Sequence, residues 1–211
     1  MRAISRVPVV VAMSISCSPH KLSVLCVAIV TQRLPIGSAS LLQCDNPFWK
    51  FSLGVYAAPG VAAECLALQR ELDVDVNMLL FCAWLGACRM ATLSAEQLEM
   101  FEDIVRPWHE DVVKPLRRAR DAIKGSAESV EEGVAALRGR VLSVELDAER
   151  IEQALLYQAA LESLPEATPH TAALRANVLM FLQLKARLAN RLDPALPAAL
   201  LAAAAQAAIQ T

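Results

Sequence analysis

Apolar residues recur at helical spacing along most of the chain. The longest run is Val130, Val134, Leu137, Val141, Val144, Ala148, Ile151 and Leu155, alternating by four and three. Sustained over more than three heptads, that repeat predicts a long helix over about 129–163 with a coiled-coil type of seam. Leu174, Val178, Phe181, Leu188 and Leu192 form an answering stripe, opened by Thr168 and Pro169 as cap and first residue. A helical hairpin of 129–163 against 170–192 is the economical arrangement, and a dimer through the long helix is the alternative. Beyond Pro194 the chain is uncharged and rich in Ala, which predicts a frayed or loosely docked helix.

The upstream half breaks into shorter helices. Asn46 can cap the first, and Pro47 fits its first position, where no backbone donor is lost. Phe48, Trp49, Phe51, Leu53, Val55 and Tyr56 then sweep an arc of about 200°, leaving only a strip of Lys50, Gly54 and Ala57. A helix so widely apolar is expected to build core on most sides. Val61, Cys65, Leu68 and Leu72 stripe a second helix over about 60–72. Asp75 is the cap of a third, reaching about Met90, whose residues 76–88 carry no charge. That segment is too short for a bilayer and predicts the central buried helix. Asn77 is its one strongly polar side chain, so it needs hydrogen-bond partners inside the core.

Ser94 with Gln97 reads as a capping box opening a fourth helix, which Pro107 interrupts. Trp108 to Lys124 follows, with Pro115 as a kink or a further break. No Asn-Gly or Asp-Gly turn stands between alternating β-branched runs, so strands are not expected. The fold class is all-α, a compact multi-helix bundle with a long C-terminal helical hairpin. A domain over 45–163 is followed by a C-terminal helix and tail over 164–211.

Charge changes the picture only once it is divided. Residues 1–44 hold Arg2, Arg6, Lys21 and Arg33 with no acid, so residues 45–211 hold 16 basic and 22 acidic side chains, a net of −6. An acidic globule lacks the electrostatic footprint of a DNA binder. In residues 1–44, the apolar runs 7–15 and 22–30 are each about half a membrane span. Three readings stand: an upstream extension from a misassigned start codon, a signal or anchor, or a structural arm. Six cysteines, at 17, 26, 44, 65, 82 and 88, form no CxxC pair. With this much core, a reducing, cytoplasmic setting is the better reading.

Four separated stretches match a known pattern in order: NPFWKFSLGVYAAPGV from Asn46, DVDVNMLLFCAWLGA from Asp73, PWHEDVVKPLRRAR from Pro107, and ELDAERIEQALL from Glu145. They resemble a bacterial family of small proteins that share NPFW, PGV, DVN-LLF-W, W-x-x-x-VV-x-PLR and ExxAERxE. That family is catalogued only as a conserved domain of unknown function. The resemblance covers about 45–162 and implies no activity, cofactor or catalytic residue. Its motif residues, with a structural or binding role, are Asn46, Pro47, Phe48, Trp49, Asp75, Asn77, Trp84, Trp108, His109 and Arg117.

Candidate chemistry is sparse. Glu145, Glu149 and Glu152 share one helical face, but the Glu-x-x-His partner of a bundle di-metal site is nowhere in the chain. No metal or cofactor is expected, and a solvated face with salt bridges to Arg150 is the simpler reading. His109, beside Glu110 and Asp111, has the chemistry of a general acid–base group but no evident nucleophile. Ser52 sits among aromatics, and Cys82 lies in an uncharged helix that should raise its pKa. No catalytic residue is assigned. Trp49, Trp84 and Trp108, with Asp75 and Asn77 as polar handles, are the residues of a small-ligand pocket or of a core. Lys114, Arg117, Arg118, Arg120 and Lys124 form a basic run suited to RNA, a nucleotide or an acidic partner, or to a solvated face. The favoured expectation is a non-enzymatic helical interaction module, self-associating through 130–155. The alternatives are a small-ligand binder around Asn77 and His109, and docking of RNA through 114–124.

Overall fold

The computed structural model describes residues 42–89, 91–126, 132–164, 172–191 and 194–209. Residues 1–41, and with them both N-terminal apolar runs, Cys17, Cys26 and His20, lie outside the described residues. So do Val130, Thr168, Pro169, His170 and Leu192.

Eight α-helices follow in order among the described residues: α1 Pro47–Tyr56, α2 Val61–Leu72, α3 Val76–Cys88, α4 Ala95–Trp108, α5 Lys114–Ser126, α6 Glu132–Ser163, α7 Ala173–Leu188 and α8 Ala198–Ile209. A π-helical turn, His109–Val113, joins α4 to α5. The all-α bundle expected from the sequence is the observed architecture, and the described residues fall within one compact unit. No single helix among the described residues is long and apolar enough to cross a membrane.

The helix starts follow local chemistry. Asn46 Oδ1 accepts from the Trp49 N–H at 2.8 Å, with Pro47 at the first position. Asp75 Oδ1 accepts from the Asn77 N–H at 2.8 Å. The Ser94–Gln97 capping box closes in both directions.

α3 is the centre, buried on every side from Asn77 to Gly86. Phe81 and Trp84 pack there with Phe48 of α1, at ring-centroid separations of 5.4 Å for both contacts of Phe48. α7 lies so close to α3 that a Cβ on Gly86 would meet Leu174 Cα at 2.4 Å. Asn177 of α7 fastens the α3–α4 connection, accepting from the Leu93 N–H at 2.9 Å and donating to Ala91 O at 2.7 Å.

Several expectations need correction. The hairpin does not form: α7 packs mainly on α3, while the chief neighbours of α6 are α5 and α4. Gly86 is the physical reason, since a residue without Cβ admits the α7 backbone where a larger one would hold it off. The long seam is accordingly divided. Ala148 and Leu155 are buried inside the bundle, whereas Leu137 and Val144 are 43% and 44% exposed.

Pro107 does not interrupt its helix either. It lies inside α4, and the chain passes through the π turn, closed by Lys114 N–H to His109 O, directly into α5. The wide turn sits between Pro107 and Pro115, both of which lack a donor for the regular ladder. Nor is the C-terminal helix frayed. Both oxygens of Glu64 accept from its first turn, from Ala199 N–H and Leu200 N–H at 3.0 Å each, and Leu200 and Ala204 are buried.

The first helix is less wrapped than its pattern suggested. Phe48, Phe51, Ser52 and Val55 are buried, but Leu53 and Tyr56 are exposed and Trp49 is half-buried. Those three side chains line a cavity rather than the core.

Candidate functional site

Two cavities flank a polar network that runs through the α3–α6 contact. The π turn sets up its first part. Adjacent residues Trp108 and His109 both turn inward and reach α6 one helical turn apart. Trp108 Nε1–H donates to Ala148 O at 2.9 Å. His109 Nδ1 lies 2.9 Å from Glu152 Oε1 and 3.4 Å from Asp75 Oδ2.

Asn77 organises both carboxylates. Its backbone N–H holds Asp75 Oδ1, and its side-chain Nδ2 donates to Glu152 Oε2 at 2.6 Å. Gln153 Nε2 then donates to Asn77 Oδ1 at 2.8 Å, so the amide has partners on both its atoms. Asp75, His109 and Glu152 thus place one metal-ligand type of atom each within 4.8 Å of one another.

The electrostatics follow from burial. Glu152 is fully buried, which pushes its carboxyl well above the usual carboxylate range; Asp75 adds to the rise, while His109 and Asn77 oppose it. For His109, burial works against the charged ring, but the bond to Glu152 and the Asp75 charge outweigh it and raise its pKa. Both groups thus hold a proton more tightly in the fold than in water, and they titrate as a pair.

His109 and Asp75 line the smaller cavity, about 120 Å³, with Asp73, Met78, Glu102 and Glu110 among the other walls. Its lysines are already paired: Lys114 with Asp73 at 3.0 Å and Glu110 at 2.8 Å, and Lys185 with Glu102 at 2.5 Å.

The larger cavity, about 580 Å³, opens on the other side of Asn77 and Gln153. Trp49, Tyr56, Leu80 and Leu146 contribute apolar wall, and Arg117 and Arg120 line another side. Arg117 bonds Glu145 at 3.3 Å and Glu149 at 2.9 Å, and Arg120 pairs with Glu145 at 3.1 Å. Ser52 Oγ and Gln153 Oε1 are sealed from solvent on this wall without a hydrogen-bond partner among the described residues.

Of the residues singled out from sequence, the fold brings Asp75, Asn77 and His109 together. The three tryptophans do not converge. Only Trp49 lines the large cavity, beneath Arg150 at 5.7 Å; Trp84 stacks in the core and Trp108 ties the π turn to α6. Asn46, Pro47 and Phe48 are structural, as cap, first residue and core anchor.

The solvated glutamate face is corrected. Glu145 and Glu152 are buried; Arg117 and Arg120 of α5 pair with Glu145, Arg117 also with Glu149, and Glu152 meets His109, because α5 and the π turn pack along this face. Arg150 instead donates to Cys44 O at 3.0 Å. The basic run is likewise no uniformly solvated face, since Lys114, Arg117 and Arg120 pair within the chain. Cys82 is fully buried and its thiol is pushed far up, and burial takes Cys65 to about 12, so neither offers a thiolate. The residues that sequence reasoning missed are Glu152 as the partner of His109 and Gln153 as a cavity-facing amide. The available signal was that Glu152, expected on a solvated face, follows the seam position Ile151 and precedes Leu155 by one helical turn.

A family described as "Protein of unknown function (DUF2390)" matches residues 47–156. No curated protein and no solved structure matches the chain.

Proposed function

We propose, for a chain that belongs to this family of unknown function, that it binds a small, partly apolar molecule in the large cavity beside α1, α3, α5 and α6. The observation that carries the reading is the pair of buried polar atoms on its wall. Ser52 is 3% and Gln153 2% exposed, and Ser52 Oγ and Gln153 Oε1 have no partner among the described residues. A buried acceptor without a donor costs roughly 1–3 kcal/mol, and a ligand with a hydroxyl, amine or amide donor removes that cost once the Ser52 and Gln153 side chains turn toward the cavity they line. The volume lies in the range of small-molecule sites, and the lining combines apolar bulk with a few convergent polar groups. Binding rather than chemistry is the proposed activity, since the Ser52 hydroxyl on this wall is hydrogen-bonded to no base among the described residues. The buried thiols Cys65 and Cys82 support a reducing, cytoplasmic setting. Native mass spectrometry of the full chain purified from its own host tests the proposal. A retained small mass, lost from Gln153→Leu, is the expected result; a clean apo mass overturns it.

A second reading, association of two copies through α6, is favoured by one observation. Leu137 and Val144 stand exposed seven residues apart, at the seam spacing, on the half of the helix farthest from the bundle centre. Light scattering on the full chain and on Leu137→Glu tests it: a dimer converted to monomer supports it, and a monomeric parent removes it. Docking of RNA through 114–124 has less to recommend it, since Lys114, Arg117 and Arg120 spend their charge inside the chain.

A further inference from the structure

The geometry points to a divalent metal site at Asp75, His109 and Glu152, for a first-row transition ion such as Zn²⁺ or Co²⁺. It shares Asn77 and Gln153 with the wall of the large cavity but does not rest on ligand binding there.

The first argument is the aim of the atoms. Each carboxylate has its outer oxygen fixed by Asn77, which turns Asp75 Oδ2 and Glu152 Oε1 toward the same imidazole nitrogen. The separations from His109 Nδ1 are 3.4 and 2.9 Å. With metal–ligand bonds of about 2.1 Å, neighbouring ligands stand about 3.4 Å apart in a tetrahedron and about 3.0 Å in an octahedron. The two separations from His109 Nδ1 match such a site, and all three atoms lie within 4.8 Å of one another, so an ion would replace the proton between His109 and Glu152 and draw the two carboxylates together. One imidazole with two carboxylates suits a borderline ion better than Mg²⁺ or Ca²⁺, which prefer oxygen alone.

The second argument is charge. Around the small cavity the lysines are committed, Lys114 to Asp73 and Glu110 and Lys185 to Glu102, and Arg106 pairs with Asp103 at 2.6 Å. Among the described residues no lysine or arginine ion-pairs with Asp75 or Glu152. Two carboxylates, one of them fully buried, thus face a single histidine. A dication supplies the missing positive charge.

The third argument is access and support. Asp75 and His109 line the 120 Å³ cavity, which provides room for water in the remaining coordination positions. Gln153 holds Asn77, and Asn77 holds both carboxylates, the kind of outer-shell fixing that metal carboxylates receive.

The test uses the full chain, stripped with a chelator and titrated with Co²⁺ under visible absorption, with Zn²⁺ as competitor. One ion per chain is expected, with ligand-field bands that Zn²⁺ abolishes. Glu152→Gln and Asp75→Asn should each weaken binding by roughly 100-fold. Asp75→Asn keeps an oxygen for the helix cap, so it serves where Glu152→Gln fails to fold. Circular dichroism separates lost folding from lost affinity. Binding unchanged in a folded Asp75→Asn variant, or no ligand-field band in the parent chain, overturns the site.

Discussion

His109 Nδ1 and Glu152 Oε1 meet at 2.9 Å across 43 residues of chain, inside the contact between the π turn and α6. Both groups hold protons more tightly folded than unfolded, by the directions of their shifts. Their contributions to stability are therefore complete below the unfolded pKa values and are lost as pH rises through the folded ones.

In the presence of a chelator, the thermal midpoint should accordingly fall as pH rises from about 5 to about 8. Glu152→Gln should flatten that slope. The charged groups facing the pair are Asp75 from the α3 cap and, around the cavity, Asp73, Glu102, Glu110, Lys114 and Lys185. The lysines and the remaining acids pair with each other, so the slope belongs mainly to His109 and Glu152. Melting curves at several pH values check this, and an unchanged slope in the variant contradicts it.

Gly86→Ala should destabilise the bundle by about 1–3 kcal/mol or more. The new methyl meets backbone, with Leu174 Cα at 2.4 Å and Leu174 N at 2.5 Å, and neither can rotate away. The helix-propensity gain of about 1 kcal/mol from Gly to Ala works in the opposite direction and is outweighed. Urea denaturation of the single variant measures the balance. Gly54→Ala is the control, since a Cβ there meets nothing within 4 Å.

Glu64→Ala should release the start of α8. Two backbone donors, Ala199 N–H and Leu200 N–H, lose their acceptor together, at a cost of about 0.5–2 kcal/mol. The effect should appear as faster hydrogen exchange over 198–209 with α3 still protected, because Leu200 and Ala204 are the only buried residues of α8 among those described.

What the sequence revealed, and what it withheld, divides along one physical line. The caps at Asn46, Asp75 and Ser94 depend on atoms two or three residues away, and all three were readable. The partner of α7 depends on one missing Cβ at Gly86 facing Leu174, and periodicity carries no record of that. The same holds at the site. Asn77 announced itself as a buried amide in need of partners, but its partners Glu152 and Gln153 lie 75 and 76 residues away. Glu152 looked like surface because charge usually is, and only the arrival of the π turn against α6 makes it core.

Phe48 and Trp49 are neighbours with opposite assignments, which yields the sharpest mutational contrast. Phe48 is fully buried and touches both Phe81 and Trp84 at 5.4 Å, so Phe48→Ala should cost about 3–5 kcal/mol through the void it leaves. Trp49 is half-buried, lines the large cavity and stacks under Arg150, so its removal opens space already in contact with solvent. Trp49→Ala should cost no more than about 1–2 kcal/mol, the worth of an exposed cation–π contact and partial burial. It should nonetheless abolish any retained mass in the native spectrum. Equal destabilisation by the two variants would return Trp49 to the core; a stable Trp49→Ala that still carries its ligand would move the binding wall elsewhere.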